Sequence, residues 1–391
     1  MTIVMTGGGS GGHITPILAV AYELKQLSPG IKIIYIGPKG DALGDIPVSH
    51  ESIDEVYVVR AGKWRRYHGE GLKQLLDLKT LAKNMRDAIF VLIGLVQSWR
   101  LLGRINPDLV FIKGGFVGVP IGLAAAARRI AYCTHDSDAI PGLANRLISR
   151  WARLHTVALP KEVYSYPKHK TMTVGIPLAR DFVPVTPQIK SHYRKELNID
   201  EKSKLLFIIG GGLGAQRVNS AVAESLPHLL KQFPELQVIH VVGRNNVAQL
   251  QKLYSNILSK AEQDRVGVKD FIQDVYRYSG AADVIITRAG ATNLAEFAVQ
   301  GKACIVIPNP LLTGGHQLKN AQYLAIKQAA ILITEGELLT NTNIIASQTS
   351  LLLKNNQLRD QLGSRLASFA QPEATQKLAQ ILLNLAKQES K

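Results

Sequence analysis

The chain carries two copies of a strand-like run that ends in a glycine-rich turn. The first copy runs through residues 2–5 into a turn at 7–12, and the second runs through residues 205–209 into a turn at 210–215. A helical pattern follows each turn. Such a turn leaves backbone N–H groups free at a helix N terminus, where the helix dipole favours negative charge. One copy in each half of the chain predicts two nucleotide-type domains that face a shared cleft.

Short runs of β-branched residues alternate with helical stretches through both halves. This alternation indicates βαβ units, and hence an α/β fold with a doubly wound parallel sheet in each domain. A proline-containing segment at 182–187 is the predicted linker, so we assign residues 1–183 to the first domain and 184–370 to the second. The pattern also predicts one continuous helix over 247–263 and a last helix over about 375–387.

The chain is strongly basic, with 46 Lys and Arg against 30 Asp and Glu. Such a surplus makes nucleic acid, an anionic membrane surface and anionic substrates candidate partners. It is concentrated at residues 60–104, where ten Lys and Arg stand against three Asp and Glu. That stretch also holds Trp64, Trp99 and the apolar run 88–96.

The apolar run at 88–96 is too short to cross a bilayer, which takes about 20 residues. A basic segment with tryptophans can lie in a membrane interface, and it can equally be a core helix with a solvated basic face. The chain opens on a strand-like run with no basic segment before it, which favours a cytoplasmic protein. Cys133 and Cys304 fall in apolar runs and are expected to be buried, outside any disulfide or metal framework.

His13 ends the first glycine turn at the point where the following helix begins. The positive end of a helix disfavours an imidazolium, so this position favours a neutral imidazole that can act as a general base. A histidine that merely caps or packs is the alternative. Residues 36–39 read Ile-Gly-Pro-Lys, without the acidic residue that binds the ribose of NAD, which argues against an NAD site.

Further clusters follow strands at residues 113–120 and 134–146. Open α/β sheets bind ligands at the carboxyl ends of their strands, so both clusters are candidate ligand sites. Asp136 and Asp138 in the second cluster can bind a polar acceptor, and they can equally be turn and N-cap residues.

In the second half, a strand ends at Thr287, glycine allows a turn, and a helix begins whose N-terminal amides form an anion site. Glu296 lies one turn into that helix and is placed to accept hydrogen bonds from ribose hydroxyls. A later segment holds His316 and Gln317, which can hydrogen-bond sugar hydroxyls.

Taken in order, these segments resemble the MurG family of bacterial glycosyltransferases (glycosyltransferase family 28) nearly from end to end. The first turn resembles the family's GGTGGH-x-x-P opening, and residues 174–177 resemble its GNP turn. Residues 114–120 followed by 135–146 resemble its GGY/FVSGP and HEQNAIPGLTNR segments. The remaining matches are residues 210–215 with GGSQGA, 288–296 with RSGA…E, and 316–320 with QQ-x-x-N.

The resemblance implies a GT-B fold, in which two Rossmann-like domains face an open cleft and residues 371–391 pack back on the first domain. It implies a UDP-N-acetylglucosamine-dependent hexosyltransferase that acts with inversion and without a metal or other cofactor. The implied acceptor is the muramoyl 4-hydroxyl of undecaprenyl-linked lipid I, and the product is lipid II of peptidoglycan synthesis. It also implies a peripheral protein on the cytoplasmic face of the cell membrane, docked on anionic lipid through residues at about 60–104.

Carried over residue by residue, the resemblance implies roles for positions of this chain. His13 is the implied base for the acceptor hydroxyl. Phe271 and Ile272 face uracil, Ile272 through its backbone, and Glu296 binds the ribose. The other implied donor-binding residues, on the diphosphate and the sugar, are Ser10, Gly11, Gly12, Gly211, Gly212, Arg288, Ala291, Thr292, His316 and Gln317. The implied acceptor-side residues are Gly114, Gly115, His135, Asp136, Asp138 and Arg180.

The chain departs from the family pattern on the donor side at three positions. Gly212 and Leu213 stand where the family usually has Ser and Gln, and His316 stands in place of the first paired glutamine. These changes touch the phosphate contact and the recognition of the sugar, so a different hexosamine on UDP is a second interpretation of the donor.

On the acceptor side, Asp136 and Asp138 replace the Glu and Asn of the family's Glu-x-Asn. The arginine after the family's Asn-Pro turn is displaced, with Ala179 at that position and Arg180 next. These changes keep open an alternative function, a GT-B diacylglycerol glycosyltransferase that uses a UDP-sugar.

Three further classes of protein account for fewer of these sequence features. A UDP-N-acetylglucosamine 2-epimerase shares the architecture but needs no lipid-docking segment, and a non-catalytic sugar-nucleotide-binding subunit needs neither His13 nor Glu296. Nucleic acid suits the charge, but no recognised nucleic-acid motif is visible and the basic cluster is mixed with aliphatic residues. We therefore predict no nucleic-acid partner.

Overall fold

The computed structural model describes residues 1–63, 78–210, 215–243, 245–310 and 315–389. The chain divides into two compact units. The first comprises Met1–Arg180, a short segment ending at His316, and Gln371–Lys391; the second comprises Asp181–Pro310 and Gln317–Ala370.

A parallel sheet forms the centre of the first unit. Within the described residues its strands are β1 (Thr2–Thr6), β2 (Lys32–Pro38), β3 (Glu55–Val59), β4 (Leu109–Ile112), β5 (Tyr132–Asp136), β6 (Leu154–Val157) and β7 (Thr171–Thr173). Their spatial order is β3-β2-β1-β4-β5-β6-β7. The order reverses direction at β1, so the carboxyl ends of β1 and β4 form the switch point at which open α/β sheets bind ligands.

Helices cover both faces of this sheet, as its apolar strands β1, β2 and β4 require. They are α1 (Gly11–Leu27), α2 (Asp45–Val48), α3 (Leu78–Ile105), α4 (Gly118–Ala127) and α5 (Leu143–Ile148). The core on one face includes Ile3 and Ile17. The core on the other face includes Val110, Ile121 and Leu102 of α3.

The second unit repeats this architecture. Its described strands are β8 (Lys204–Ile209), β9 (Leu236–Val241), β10 (Val266–Lys269), β11 (Val284–Thr287), β12 (Cys304–Val306) and β13 (Ile331–Leu332). They form a parallel sheet in the order β10-β9-β8-β11-β12-β13, with the switch point between β8 and β11. Its helices are α6 (Pro187–Glu196), α7 (Gln216–Gln232), α8 (Val247–Ile257), α9 (Lys260–Gln263), α10 (Val275–Ala281), α11 (Ala291–Val299), α12 (His316–Ile326), α13 (Glu335–Thr340), α14 (Ile344–Lys354) and α15 (Asn356–Ala367).

The last helix, α16 (Ala374–Glu389), belongs to the first unit. Leu378 and Leu382 are fully buried in the core that contains Ile3. At the start of the helix, the Thr375 hydroxyl donates to the carbonyl of Leu178 at 2.7 Å and accepts from its N–H at 2.8 Å. The C-terminal segment therefore completes the core of the first unit.

Three regions differ from the elements that the sequence predicts. Strand β6 was not predicted, because its four residues include a histidine and a threonine and show no alternation. The single helix predicted over 247–263 is two helices, because Ser259 and Glu262 form a capping box that starts α9. The sequence analysis also assigned no helix between β13 and α16, where α13, α14 and α15 lie.

Candidate functional site

His13 lies in the first turn of α1, directly after the glycine turn that follows β1. Nδ1 of this half-buried ring lies 2.9 Å from the carbonyl oxygen of Gly8 and 3.2 Å from Oγ of Ser10. Because a carbonyl oxygen can only accept, Nδ1 carries the hydrogen and the lone pair of the neutral ring is on Nε2. The turn therefore presents an imidazole whose Nε2 can accept a proton.

The surroundings of His13 favour its neutral form. Burial, followed by the positive charge of Lys113, lowers the pKa of His13 to about 4. The carbonyl of Gly8 and the carboxylates of Asp138 and Asp41 favour a higher pKa, but their effect is smaller than that of burial and Lys113. The ring is neutral at pH 7, which is the form that a general base requires.

The start of α1 supplies backbone donors beside this histidine. The helix begins at Gly11, and the N-cap Ser10 makes no side-chain cap within the described part of the chain. The N–H groups of Gly11 and Gly12 are therefore among those that a helix start leaves to a ligand or solvent.

The turn after β4 approaches His13 with backbone rather than side chains. Gly114 and Gly115 have φ values of +122° and +81°, which glycine adopts readily. A Cβ on Gly114 would lie 3.6 Å from Nε2 of His13, and one on Gly115 would lie 2.7 Å from the carbonyl oxygen of Gly8. The close approach of the two turns requires glycine at 115, and glycine at 114 leaves Nε2 accessible.

Asp136, at the end of β5, is held by partners on both carboxylate oxygens. Oδ1 accepts from the N–H of Gly142 and Oδ2 accepts from the hydroxyl of Tyr166, each at 2.8 Å. Burial raises the pKa of Asp136, and these hydrogen bonds oppose that rise. Asp136 thus fixes the loop between β5 and α5, which is the turn role that the sequence left open.

His135 is fully buried beside Asp136. Its Nδ1 lies 3.1 Å from Oγ1 of Thr156 and its Nε2 lies 3.5 Å from Oγ of Ser137. Burial, with the charge of Lys113, holds the pKa of His135 well below its usual range. His135 is therefore a neutral, buried histidine that packs under the loop between β5 and α5.

Asp138 and Arg180 lie closer to the surface of the first unit. Asp138 is half-buried, and its carbonyl accepts from the hydroxyl of Tyr164 at 3.0 Å. The guanidinium of Arg180 lies 4.5 Å from the centre of the Tyr22 ring, a cation–π distance.

Two charged residues that were not among the predicted site residues belong to this cluster. Oδ2 of Asp41 accepts from the N–H of Gly9 at 2.8 Å and so braces the first glycine turn. Lys113 is buried directly before Gly114, and its Nζ donates to Oγ of Ser137 at 2.8 Å. The sequence signal for Lys113 is a charged residue between an apolar strand and a glycine pair; Asp41 gives no comparable signal.

The second cluster lies at the carboxyl end of β11, where α11 begins. Its N-cap is Gly290, and no side chain among the described residues caps the helix. The N–H groups of Ala291 and Thr292 therefore remain at the positive end of the helix for an anionic ligand.

Arg288 is buried immediately before this helix. Its Nη1 donates to the carbonyl of Ile307 at 3.2 Å, and its Nη2 pairs with Oε1 of Glu335 at 2.6 Å. These two contacts hold the guanidinium beside the start of α11. Glu335 lies in α13, which the sequence analysis did not predict, so this partner was missed.

Glu296, one turn into α11, is buried, with 7% of its surface exposed. Its carboxyl group has no hydrogen-bond or ion-pair partner among the described residues, and burial raises its pKa to about 8. A buried carboxyl group without a partner is costly, and two adjacent hydroxyls of a ligand would supply the missing hydrogen bonds.

Phe271 and Ile272 line an open depression of about 560 Å³ at the end of β10. Tyr278 and Val268 contribute to the same depression. The mixture of aromatic, aliphatic and backbone groups suits a flat heterocycle.

Gln317 lies in the first turn of α12, directly after His316. Its Oε1 accepts from the N–H of Asn309 at 2.9 Å, so the hydrogens on its Nε2 take no part in this contact. Asn320 on the same helix donates to the carbonyl of Ala289 at 3.2 Å and so ties α12 to the turn before α11. The predicted residues Gly211 and Gly212 lie outside the described residues.

The exposed side of α3 is apolar, and we call it the α3 face. Its members recur at spacings of three and four residues, which places them on one side of the helix. They are Met85, Ile89, Leu92, Ile93, Val96 and Trp99, with 36–64% of each residue exposed. Asp87 and Ser98 on the opposite side are buried against the unit.

Basic residues flank the α3 face. Arg86 and Arg100 are exposed on the helix, and the guanidinium of Arg128 stacks on the Trp99 ring at 4.0 Å. Residues 82–105 are long and apolar enough to cross a membrane by length and composition, with a mean hydropathy of 1.5. The apolar segment is therefore longer than the nine-residue run that the sequence analysis identified. Trp64 lies outside the described residues.

Two models of one family match this chain. The model of the glycosyltransferase family 28 N-terminal domain matches residues 3–156, and that of the C-terminal domain matches residues 205–378.

Curated relatives match over nearly the full length of the chain. They include enzymes named UDP-N-acetylglucosamine--N-acetylmuramyl-(pentapeptide) pyrophosphoryl-undecaprenol N-acetylglucosamine transferase. The enzyme of Natranaerobius thermophilus is 31% identical over 98% of this chain and 100% of its own length. That of Geotalea uraniireducens is 33% identical over 96% of each chain.

Solved structures are similar in fold across both units. Acinetobacter baumannii MurG superposes with a TM-score of 0.67 at 25% identity, covering 98% of this chain and 99% of its own. The UDP-N-acetylglucosamine 2-epimerase of Neisseria meningitidis bound to UDP-GlcNAc also gives a TM-score of 0.67, covering 98% of this chain and 100% of its own. Its identity of 16% limits that likeness to the fold.

Proposed function

Because this chain belongs to glycosyltransferase family 28, we propose that it transfers N-acetylglucosamine from UDP-N-acetylglucosamine to lipid I and forms lipid II for peptidoglycan. The observation that carries this proposal is the similarity to transferases named for that reaction, over nearly the whole of both chains. The two polar clusters supply chemistry that suits it, a neutral imidazole in one unit and an anion-binding helix start in the other.

His13 is the proposed general base. Its Nε2 takes the proton of the muramoyl 4-hydroxyl as that oxygen forms a bond to the anomeric carbon of N-acetylglucosamine. The bond from that carbon to the diphosphate oxygen breaks, UDP leaves with the electron pair, and the anomeric configuration inverts. The neutral ring, whose Nε2 has no hydrogen-bond partner among the described residues, supports this role.

The donor is proposed to lie along the carboxyl ends of the second sheet. Phe271 and Ile272 meet uracil in the depression that they line, and Glu296 accepts from the ribose hydroxyls. The amides of Ala291 and Thr292 hold the diphosphate and stabilise it as it leaves. Arg288 adds positive charge beside them, and Gly211 and Gly212 complete this set as predicted from the resemblance.

The sugar is proposed to meet α12. Since Oε1 of Gln317 is held by Asn309, its Nε2 donates to a sugar hydroxyl. His316 takes the neighbouring position, and Ser10, Gly11 and Gly12 are the other donor-binding residues that the resemblance implies.

The acceptor is proposed to bind around the turn at Gly114 and Gly115. Asp136 and His135 act indirectly, because both are held inside the unit and fix the loop. Asp138 and Arg180 remain proposed acceptor-side groups near the surface.

We propose that transfer needs no metal, since helix amides and Arg288 can neutralise the departing diphosphate. EDTA should leave the rate unchanged. A rate that falls with EDTA and returns with Mg²⁺ would overturn this part of the proposal.

The α3 face is the proposed membrane-docking surface. An apolar face flanked by cations suits an anionic leaflet, where the apolar side chains enter the interface and the cations meet headgroups. Because Asp87 and Ser98 on the other side of α3 are buried against the unit, the helix would lie along the membrane rather than cross it. The proposed location is the cytoplasmic face of the cell membrane.

Radiolabel transfer from UDP-N-acetylglucosamine tests the reaction directly. Purified lipid I and diacylglycerol are offered in the same detergent, and product is separated by chromatography. We expect label on lipid I only, and none with H13A although that variant still binds UDP. Label on diacylglycerol alone would replace this function with the glycolipid alternative.

A further inference from the structure

Asp41 and His13 contact the two ends of one peptide group in the first glycine turn. The carbonyl oxygen of Gly8 accepts from Nδ1 of His13 at 2.9 Å, whereas Oγ of Ser10 lies farther from Nδ1, at 3.2 Å. The N–H of Gly9, which belongs to the same peptide group, donates to Oδ2 of Asp41 at 2.8 Å. A single planar peptide group therefore joins the carboxylate to the imidazole.

The loop after β2 fixes the position of Asp41. The other carboxylate oxygen, Oδ1, accepts from the N–H of Leu43 at 3.2 Å. The side chain of Leu43 is buried in a small cluster with Ile14 and Leu18 of α1. The loop that carries Asp41 is thus packed on the helix that carries His13.

The peptide group between Asp41 and His13 is closely packed. A Cβ on Gly8 would lie 2.6 Å from Cδ of Pro38 and 2.9 Å from Oδ2 of Asp41. A Cβ on Gly115 would lie 2.7 Å from the carbonyl oxygen of Gly8 and 3.3 Å from Nδ1 of His13. The loop after β2 and the turn after β4 both pack directly on this peptide group, which leaves it little room to rotate.

Hydrogen bonds at the two ends of a peptide group strengthen each other. A carboxylate that accepts from the N–H polarises the group and makes its carbonyl oxygen a better acceptor. The hydrogen bond from Nδ1 then keeps the ring hydrogen on Nδ1 and the lone pair on Nε2. Nε2 is the atom that has to accept the proton if His13 is the general base.

We propose that Asp41 is a positioning residue, which acts on His13 through the peptide group of Gly8 and Gly9, orients the ring and fixes its tautomer for proton transfer. The catalytic meaning of this inference rests on the proposed function. The hydrogen bonds and the packing that carry it are independent of the substrate.

The test observes the tautomer of His13 directly. The full-length protein is labelled with ¹⁵N in the histidine rings, and the His13 signals are assigned by their loss in H13Q. At pH 7 the two ring ¹⁵N shifts report which nitrogen carries the hydrogen. Wild type is compared with D41A, which removes the carboxylate, and with D41N, which keeps an oxygen that can accept from Gly9 but removes the charge. E51Q, at an exposed carboxylate of the same unit, is the control.

In wild type and in E51Q the hydrogen should be on Nδ1. In D41A both tautomers should be populated, because the peptide group is no longer held or polarised, and D41N should lie between wild type and D41A. A His13 tautomer that is the same in D41A as in wild type would overturn the inference. If D41A does not fold, D41N is the decisive variant, and an unchanged tautomer in D41N would then overturn it.

A double-mutant cycle on kcat with lipid I supplies the second readout. D41A should lower kcat by about tenfold, as expected for the loss of a hydrogen bond to a charged group, while the KM for UDP-N-acetylglucosamine stays unchanged. In H13Q the same substitution should lower kcat no further, because Asp41 acts through the ring. Equal losses in both backgrounds would show a purely structural role and overturn the inference. A changed tautomer in D41A, with no transfer to lipid I by wild type, would support the inference and reject the proposed function instead.

Discussion

Nη2 of Arg288 lies 2.6 Å from Oε1 of Glu335, and both side chains are buried. The other oxygen of the same carboxylate lies 2.5 Å from Nη1 of Arg217, in the first turn of α7. One carboxylate thus joins the end of β11 to the starts of α7 and α13. It keeps two like-charged guanidinium groups close together beside the helix start where we place the diphosphate.

Replacing Glu335 with Gln should weaken binding of UDP more than binding of uridine. The amide keeps the shape but loses the charge that holds both arginines in position. We expect about a tenfold loss for UDP, in line with about 1.5 kcal/mol for a hydrogen bond to a charged group. Calorimetric titration with UDP and with uridine measures the difference. E337Q, which alters the capping box of the same helix, is the matched control, and equal losses for both ligands would show a purely structural role.

Glu296 should make the unliganded protein less stable at alkaline pH. Its pKa is about 8 in the folded protein and 4.5 ordinarily, so the folded state binds this proton more tightly than the unfolded state. The resulting stabilisation is present in full below pH 4.5 and is lost as pH rises through 8. The free energy of unfolding should therefore fall between pH 5 and 9 in wild type relative to E296Q. Urea unfolding at both pH values measures it, and parallel pH profiles would refute the raised pKa.

The same substitution should weaken UDP and uridine alike, because both carry the ribose. The amide of E296Q can accept through only one oxygen, whereas both oxygens of a carboxyl group can accept from the hydroxyls. Binding of 2′,3′-dideoxyuridine, which lacks both ribose hydroxyls, tests whether the loss comes from those hydroxyls. Wild type and E296Q should bind this ligand equally well. An unchanged uridine affinity in E296Q would remove Glu296 from the ribose.

His13→Gln should lower kcat by about 10²–10⁴-fold, the usual contribution of a general base. The KM for UDP-N-acetylglucosamine should stay within about twofold, because the substitution removes an interaction made only in the transition state. Initial rates with lipid I give both constants, and H169Q, at an exposed histidine of the same unit, serves as control. Equal losses in kcat and donor affinity would contradict a base role.

Leu92→Glu should release the protein from anionic vesicles. It places a carboxylate at the centre of the α3 face, where it would enter the interface and repel the headgroups. V48E is the matched control, because Val48 is 66% exposed on α2 of the same unit. Co-sedimentation with vesicles of phosphatidylglycerol and phosphatidylethanolamine should separate the two variants. If both variants sediment as wild type does, the α3 face is not the docking surface.

The prediction of a GT-B fold with two Rossmann-like parallel sheets is confirmed, as is the resemblance to glycosyltransferase family 28. These properties could be predicted because they are local in the sequence. The glycine turns, the apolar strands and the helix starts occupy short stretches whose chemistry is visible residue by residue. The implied roles of individual site residues stay predictions.

The missed features involve partners that are distant in the sequence. Glu335 contacts Arg288 and Arg217, and no local pattern links these positions. Asp41 braces the turn at Gly9 from 32 residues away. Short elements such as β6 were missed for a related reason, since they exist because neighbouring strands pair with them.

The sequence by itself determined the class of fold, the two turns and the identity of His13 and Glu296 as groups of interest, because backbone preference and helix starts depend on adjacent residues. Only the tertiary structure decided the protonation of those groups, because desolvation and charge act through space. It brought the charge of Lys113 close enough to help lower the pKa of His13, left the carboxyl group of Glu296 buried without a partner among the described residues, and turned the α3 face outward.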